Sequence, residues 1–456
     1  MLPDTNRRPF QPPEPAPTGP ISPIRPDPRP PIRLSADLSL SSDDPTACLQ
    51  AAERALTLEA EHVPALLLAA TAHEKLGDAV AAQQRRERAL EVAPDDPDVA
   101  YDTVDLRPGC PDDPRFSGLS EAVEDRTRQV ESRVRGMLAL AKLYDDADQL
   151  EPAARYLRQG NDLWADTLCR QGRGYDPHVI DRRLELLKQL MTAGMEGLLH
   201  PSDLALPVVV GGLPRSGKTL LERRLARVLG LPAIGERPVF EHSQRSLPEH
   251  LRRTTGELSE LQPAAVRDFR EASFQEHLAD IATCGAPAFV SAGANLELQF
   301  HLAVLLHPGA VLIVCERDPR DLVLANLLKH IPNASVYSNR IAWLVHRIAA
   351  RDRAAALWER LLPGQVHRVA YERLVNDEQT VLAELVAALP AASTPTQQDP
   401  LPSDPGTTRV RSPASDPPSE SPLHREHVGM WRRWAPHLPE LTDLLGTLGA
   451  DRDNKT

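Results

Sequence analysis

The chain has 456 residues, 25% charged and 41% apolar, with a formal net charge of −12. That size sets an expectation of about two to four globular domains. The acidic balance excludes a general nucleic-acid or membrane-surface binder, which needs a basic field, but leaves room for a local anion site. No apolar run approaches bilayer length, and the N-terminus, MLPDTNRRPF, has no apolar leader, so a cytoplasmic protein is expected. Aromatic residues make up only 4%, so the cores must be built from Leu, Val and Ala. Cys48, Cys110, Cys169, Cys284 and Cys315 are odd in number and never spaced as CxxC. They read as reduced structural thiols, with no zinc site or other metal site implied.

Residues 1–40 are dense in proline with interspersed Arg and Asp, and read as a disordered, polyproline-like arm. From Pro45 the apolar residues recur at helical spacing, with breaks at Glu61–His62, Leu76–Gly77 and Pro94–Asp95. ALTLEAEH and ALEVAPDD recur about one 34-residue repeat apart, which favours tetratricopeptide-like helix pairs over a non-repeating bundle. RPGCPDD, residues 107–113, interrupts the pattern. A second helical block follows, with a turn at Asp145–Leu150, and helix continues through DRRLELLKQLMTAGMEGLL. The expected helical region is 41–200.

At Leu204 the character changes. LALPVVVGG, APAFVSAG, GAVLIVCERD and VHRVAYERL are short apolar runs suited to buried parallel strands. Helical stretches are expected between them: LLERRLARVLG, about 244–283, and a long one over 321–360. Strand–helix alternation implies a three-layer α/β domain with a parallel sheet over 201–390. Residues 391–424, rich in Pro, Ser, Thr and Asp, read as a mobile loop. Residues 425–456 read as a C-terminal helix completing the α/β domain, with Trp431 and Trp434 as core residues.

The sharpest motif is Gly212-Leu-Pro-Arg-Ser-Gly-Lys-Thr219, a full GxxxxGK[ST] between an expected strand and an expected helix. Glycines let the backbone curl so that N–H groups point at phosphate oxygens, and a helix starting near Thr219 adds its positive end. Arg215 and Lys218 supply charge, and Ser216 and Thr219 supply hydroxyls; Gly217 permits the curl. Two ligand classes use such a loop: ATP or GTP with magnesium, and 3′-phosphoadenosine 5′-phosphosulfate (PAPS) without a metal. A magnesium nucleotidase needs a strand ending in Asp or Glu. Val311–Cys315 instead runs into Glu316-Arg317-Asp318, with an arginine between two carboxylates.

VLIVCERDPRDLVLAN resembles the 3′-phosphate-binding segment of sulfotransferases, and VVVGGLPRSGKTLLERRLA resembles their strand and PRSGTT loop. GLPAIGERP resembles the following Gly-Glu loop, VHRVAYERLVND the YEDLV strand, and VRSPAS with PLHREHVGMWRRWAPHLPEL the C-terminal segment. With the helices around ALAKLYDDADQLEPAARYLRQGNDL, the ordered set resembles bacterial tetratricopeptide-repeat sulfotransferases over roughly 45–450. The resemblance implies PAPS as co-substrate, with Glu236 as catalytic base and Arg215 and Lys218 stabilising the leaving group. It also implies nucleotide contacts from Arg215, Ser216, Gly217, Lys218, Thr219, Arg317, Lys329 and Tyr371. The acceptor would be a hydroxyl or amine, and the repeats would present it or a protein or peptide partner. His242, near Glu236, reads as a surface residue. The chain departs from the family pattern at Lys218 (usually Thr), Ala325 (usually Ser), Asn295 (usually Lys) and Met430 (usually basic). A P-loop kinase or ATPase, and a non-catalytic scaffold with a degenerate nucleotide domain, are the alternatives.

Overall fold

The computed structural model describes residues 44–194, 207–236, 288–330, 335–389 and 425–453. The expected arm at 1–40, the loop at 391–424, the helical stretch at 244–283 and His242 lie outside the described residues.

Residues 44–194 are helical: α1 Pro45–Leu58, α2 Val63–Lys75, α3 Ala79–Val92, α4 Pro97–Thr103, α5 Arg115–Glu124, α6 Val130–Asp146, α7 Leu150–Arg170 and α8 Pro177–Gly194. Their starts follow from local chemistry. Asp44, Asp78 and Asp96 accept backbone N–H groups of their own first turns, and Pro45 and Pro97 sit where a missing N–H costs nothing. The intervals are regular, since α1 and α3 begin at Pro45 and Ala79 while α2 and α4 begin at Val63 and Pro97. Ala52, Ala65 and Ala69 are fully buried among Leu56, Leu66 and Leu90, and their small side chains let α1, α2 and α3 approach closely.

The α/β part begins with β1, Val208–Gly211, and α9, Lys218–Leu229, followed by β2 Ala233–Gly235, β3 Val290–Ala292, α10 Phe300–Leu306, β4 Val311–Glu316 and α11 Pro319–Leu327. Then come α12 Ile341–Leu361, β5 Val366–Ala370, α13 Tyr371–Asn376, α14 Glu378–Ala388, α15 Trp431–Trp434 and α16 Glu440–Asp453. Among the described residues the strands form one sheet in the order β2-β3-β1-β4-β5, and every pairing is parallel. Alternate side chains go to opposite faces. Val209, Leu312 and Val314 pack with α10 and α12, whereas Val208, Val210, Ile313 and Cys315 pack with α9 and α14. Burial on both faces is what makes these strands continuous apolar runs rather than alternating ones.

Two expectations need correction. The long helix over 321–360 is divided: α11 ends at Leu327, a 3-10 turn spans Val336–Asn339, and α12 starts at Ile341. Pro332 lacks the N–H a continuous helix requires. The C-terminal segment is also not one helix. A 3-10 turn at Arg425–His427 precedes α15 and α16. It does more than complete the sheet domain, because Trp434, Leu438, Leu441 and Leu444 share one core with α6, α7, α11 and α12. Arg158 on α7 reaches Glu440 at 2.7 Å, and Arg433 pairs with Asp145 and Asp148.

Candidate functional site

β1 ends at Gly211, and the 212–219 loop turns its chain into α9. Three residues take left-handed or related backbone there: Gly212 (φ 144°), Arg215 (φ 68°) and Gly217 (φ 94°). Gly217 is needed twice over, since a Cβ would also stand 2.6 Å from the Tyr371 ring. The loop is clamped from behind. The Gly212 N–H donates to Glu297 Oε2 at 3.0 Å, and the Asn295 N–H donates to the Gly212 carbonyl at 3.0 Å. Glu297 is paired with Arg347 of α12, both fully buried, and its own carbonyl accepts the Trp358 indole N–H at 2.7 Å.

Arg317 follows β4, the neighbour of β1 in the sheet, so parallel pairing brings it beside the loop. Its Nη1 donates to the Arg215 carbonyl at 3.0 Å and its Nη2 to the His427 carbonyl at 2.8 Å, while the guanidinium carbon lies 4.7 Å from the centroid of the Tyr371 ring. Burial pulls the Arg317 pKa down, and burial pushes the Tyr371 phenol up. Among the described residues, Arg317 Nε and Ser216 Oγ are buried without a hydrogen-bond partner. Unsatisfied buried donors of this kind are costly and suit an anionic ligand.

Lys218 is buried, and its Nζ donates to the Leu213 carbonyl at 2.8 Å. Burial pulls its pKa down, partly offset by the negative charge of Glu236. Arg215, Thr219 and Glu236 are exposed. The fold therefore gathers Arg215, Ser216, Gly217, Lys218, Thr219, Arg317 and Tyr371 at one end of the sheet, with Glu236 within electrostatic reach of Lys218. Lys329 follows the C-terminal end of α11, where its Nζ lies 5.5 Å from the centroid of the Tyr101 ring.

The departures from the family pattern also take a definite form. Asn295 (φ 65°) turns its carboxamide oxygen inward, where it accepts from Tyr337 Oη at 2.7 Å and Arg347 Nη2 at 2.9 Å. Ala325 is buried, leaving its neighbour Asn326 to donate to the Pro214 carbonyl at 3.0 Å. Met430 borders a turn held by Asp321, which accepts from the Gly429 and Trp431 N–H groups.

Sequence reasoning missed Glu222, Glu297, Arg347 and Tyr101. Glu222 left a signal: Lys218, Leu221, Glu222 and Leu225 form one stripe of α9, and a carboxyl in an apolar stripe is worth noticing. It accepts the Gly235 N–H at 2.6 Å, tying α9 to the β2 end that carries Glu236. Burial pushes its pKa up to about 7, against the pull of the Gly235 N–H. Glu297, Arg347 and Tyr101 left none, because their partners are far away in sequence.

Residues 207–393 match the model of the sulfotransferase family. That segment covers the loop, the sheet and Tyr371. A relative in Aquifex aeolicus (strain VF5), itself described as an uncharacterized protein, is 24% identical over 326 residues, 69% of this chain and 42% of the relative. The chain thus spans less than half of that relative's length. A solved structure of the sulfotransferase STF9 from Mycobacterium avium aligns with 61% of this chain and 84% of its own at 13% identity and a TM-score of 0.25, a score at which the superposition carries no weight. No helix among the described residues is long and apolar enough to cross a membrane.

Proposed function

We propose that this chain is a sulfotransferase that takes PAPS at the 212–219 loop and passes the sulfuryl group to a hydroxyl or amine. The observation that carries this reading is the Arg317 assembly. A buried guanidinium is fastened to the loop carbonyl of Arg215 and stacked on Tyr371, and its Nε, like Ser216 Oγ of the loop, is still unsatisfied among the described residues. These are donors fit for a phosphate. The carboxylates that a magnesium nucleotidase would draw on after β4 are committed elsewhere. Glu316 pairs with Arg368 at 2.7 Å, and Asp318 caps α11 and pairs with Arg320 at 2.6 Å.

In this mechanism the acceptor oxygen or nitrogen attacks sulfur in line with the bond from sulfur to the 5′-phosphate oxygen. The new bond to the acceptor forms as that bond breaks, and the electron pair leaves with 3′,5′-adenosine bisphosphate. Glu236 takes the acceptor proton. Arg215, Thr219 and the loop N–H groups stabilise the charge that builds on the leaving oxygen, joined by Lys218 once its Nζ exchanges the Leu213 carbonyl for that oxygen. Arg317 and Lys329 hold the 3′-phosphate, with Tyr371 beneath the Arg317 guanidinium. Gly217 lets the loop close against that ring.

The helical region, taken as 41–200, is read as tetratricopeptide-like, a surface that presents the acceptor or a peptide partner. The equal spacing of α1 to α3 and of α2 to α4 supports that reading. The α/β domain is taken as 201–390 with residues 425–456 returning to it.

Calorimetric titration with 3′,5′-adenosine bisphosphate, without and with magnesium, tests the function. Micromolar binding without metal, lost in Arg317→Ala, is expected. Magnesium-dependent ATP binding with no bisphosphate signal would refute it, and silence with both nucleotides would favour a scaffold.

A further inference from the structure

The helical region and the loop meet through one short helix. On one side of α11, Asn326 Nδ2 donates to the Pro214 carbonyl, and Arg317 just before the helix holds the Arg215 carbonyl. On its other side, Leu322, Val323 and Leu327 lie in the same core as Leu140, Leu157 and Trp164 of the helical region. Leu213, a residue of the loop itself, is fully buried in that core.

The helical region helps to hold the C-terminal end of α11, alongside Ser338 of the 3-10 turn, whose Oγ donates to Asn326 Oδ1 at 3.1 Å. Orphan groups at a helix end need partners. Here Asn161 of α7 donates to the Leu327 carbonyl at 2.9 Å, and the His330 N–H donates to Tyr101 Oη of α4 at 2.9 Å. The His330 ring meets Glu131 of α6 at 3.1 Å and stands edge-on to Trp164. Between these anchors Lys329 is exposed, with its ammonium 5.5 Å from the Tyr101 ring centroid. The Arg135 guanidinium carbon lies 5.0 Å from the same centroid and is itself fixed by Asp98 at 2.9 Å and Asp102 at 2.6 Å. The field of Arg215 also reaches the Tyr101 phenol. A long exposed lysine is ordinarily free to rotate; here an aromatic face and a backbone hydrogen bond on the next residue restrict it.

We propose that Tyr101 is a positioning residue for the nucleotide site: the helical region completes that site by holding Lys329 at the angle needed to meet the ligand's 3′-phosphate. The proposal rests on the PAPS reading above. It makes the helical region a working part of nucleotide recognition as well as a surface for partners. Anything that shifts α4 against α11 would change affinity for the 3′-phosphate before it touched the loop.

The test uses the full chain and two probes, 3′,5′-adenosine bisphosphate and 5′-AMP, which lacks the 3′-phosphate. Bisphosphate affinity should fall about tenfold in Tyr101→Ala and in Lys329→Ala, the scale of one cation–aromatic contact plus one hydrogen bond. The double variant should be no weaker than Lys329→Ala alone, since Tyr101 acts through Lys329. Tyr101→Phe keeps the ring and loses the acceptor for the His330 N–H, and should fall between wild type and Tyr101→Ala. Binding of 5′-AMP should be unchanged in all four variants. Losses that multiply in the double variant, or an equal loss for 5′-AMP, would overturn the proposal and leave the PAPS reading intact. A wild-type chain that binds no bisphosphate would overturn both.

Discussion

Arg347→Met should be the most damaging single substitution near the loop, although Arg347 touches no candidate ligand atom. Arg347 and Glu297 are each 0% exposed. With the arginine gone, the Glu297 carboxylate would remain buried, supported chiefly by the Gly212 N–H at 3.0 Å. Breaking a buried ion pair by removing one partner costs about 3–5 kcal/mol. For a cooperative unit of about 200 residues, that is a fall in Tm of about 6–20 °C. Glu297→Gln combined with Arg347→Met removes both charges, and the glutamine carbonyl can still accept the Gly212 N–H. The double variant should therefore lose only about 1–2 kcal/mol. Thermal melts followed by tryptophan fluorescence measure this, with Trp358 bonded to the Glu297 carbonyl as a local reporter. A double variant whose loss equals the sum of the two single losses would refute the coupling, and with it the view that this pair braces the loop.

Glu222, with its pKa raised to about 7, binds a proton in the folded state that the unfolded chain has already released near pH 5. Its contribution to stability is therefore present at acidic pH and is lost as pH rises through about 7, by up to about 3 kcal/mol. Melts at pH 5, 6, 7 and 8 should show this slope in wild type and a flatter one in Glu222→Gln; an unchanged slope would count against it. Gly217→Ala combines a left-handed backbone with a Cβ pressed on Tyr371, and should weaken bisphosphate binding about 5- to 150-fold in the same calorimetric assay, the effect of about 1–3 kcal/mol of strain. Glu236→Gln should leave bisphosphate binding within about twofold while slowing sulfuryl transfer about 100-fold or more, the usual scale for a general base. Equal transfer rates would remove Glu236 from its role.

How legible the chain was depended on the range of the interactions involved. The breaks at Glu61–His62, Leu76–Gly77 and Pro94–Asp95 match the gaps between α1, α2, α3 and α4, because caps and prolines act over a few residues. The four apolar runs became β1, β3, β4 and β5. The short β2 has no strand signal in the sequence, since AIG is too brief to carry a pattern. The loop motif was readable because its glycines answer to local backbone demands. Arg317 and Tyr371 were found by resemblance to a family, without which an arginine and a tyrosine at strand ends say little.

Local sequence by itself thus determined the helical region, the buried strands and the curl of the 212–219 loop. Tertiary structure alone decided which groups meet there. Parallel pairing of β4 with β1 carries Arg317 to the Arg215 carbonyl, and α12 returns Arg347 to Glu297. Packing of α11 into the helical core brings His330 and Lys329 to Tyr101. In each case the partners are tens to hundreds of residues apart. What selects them is the burial of charge and the completion of hydrogen bonds in three dimensions, for which no short stretch of sequence holds a signature.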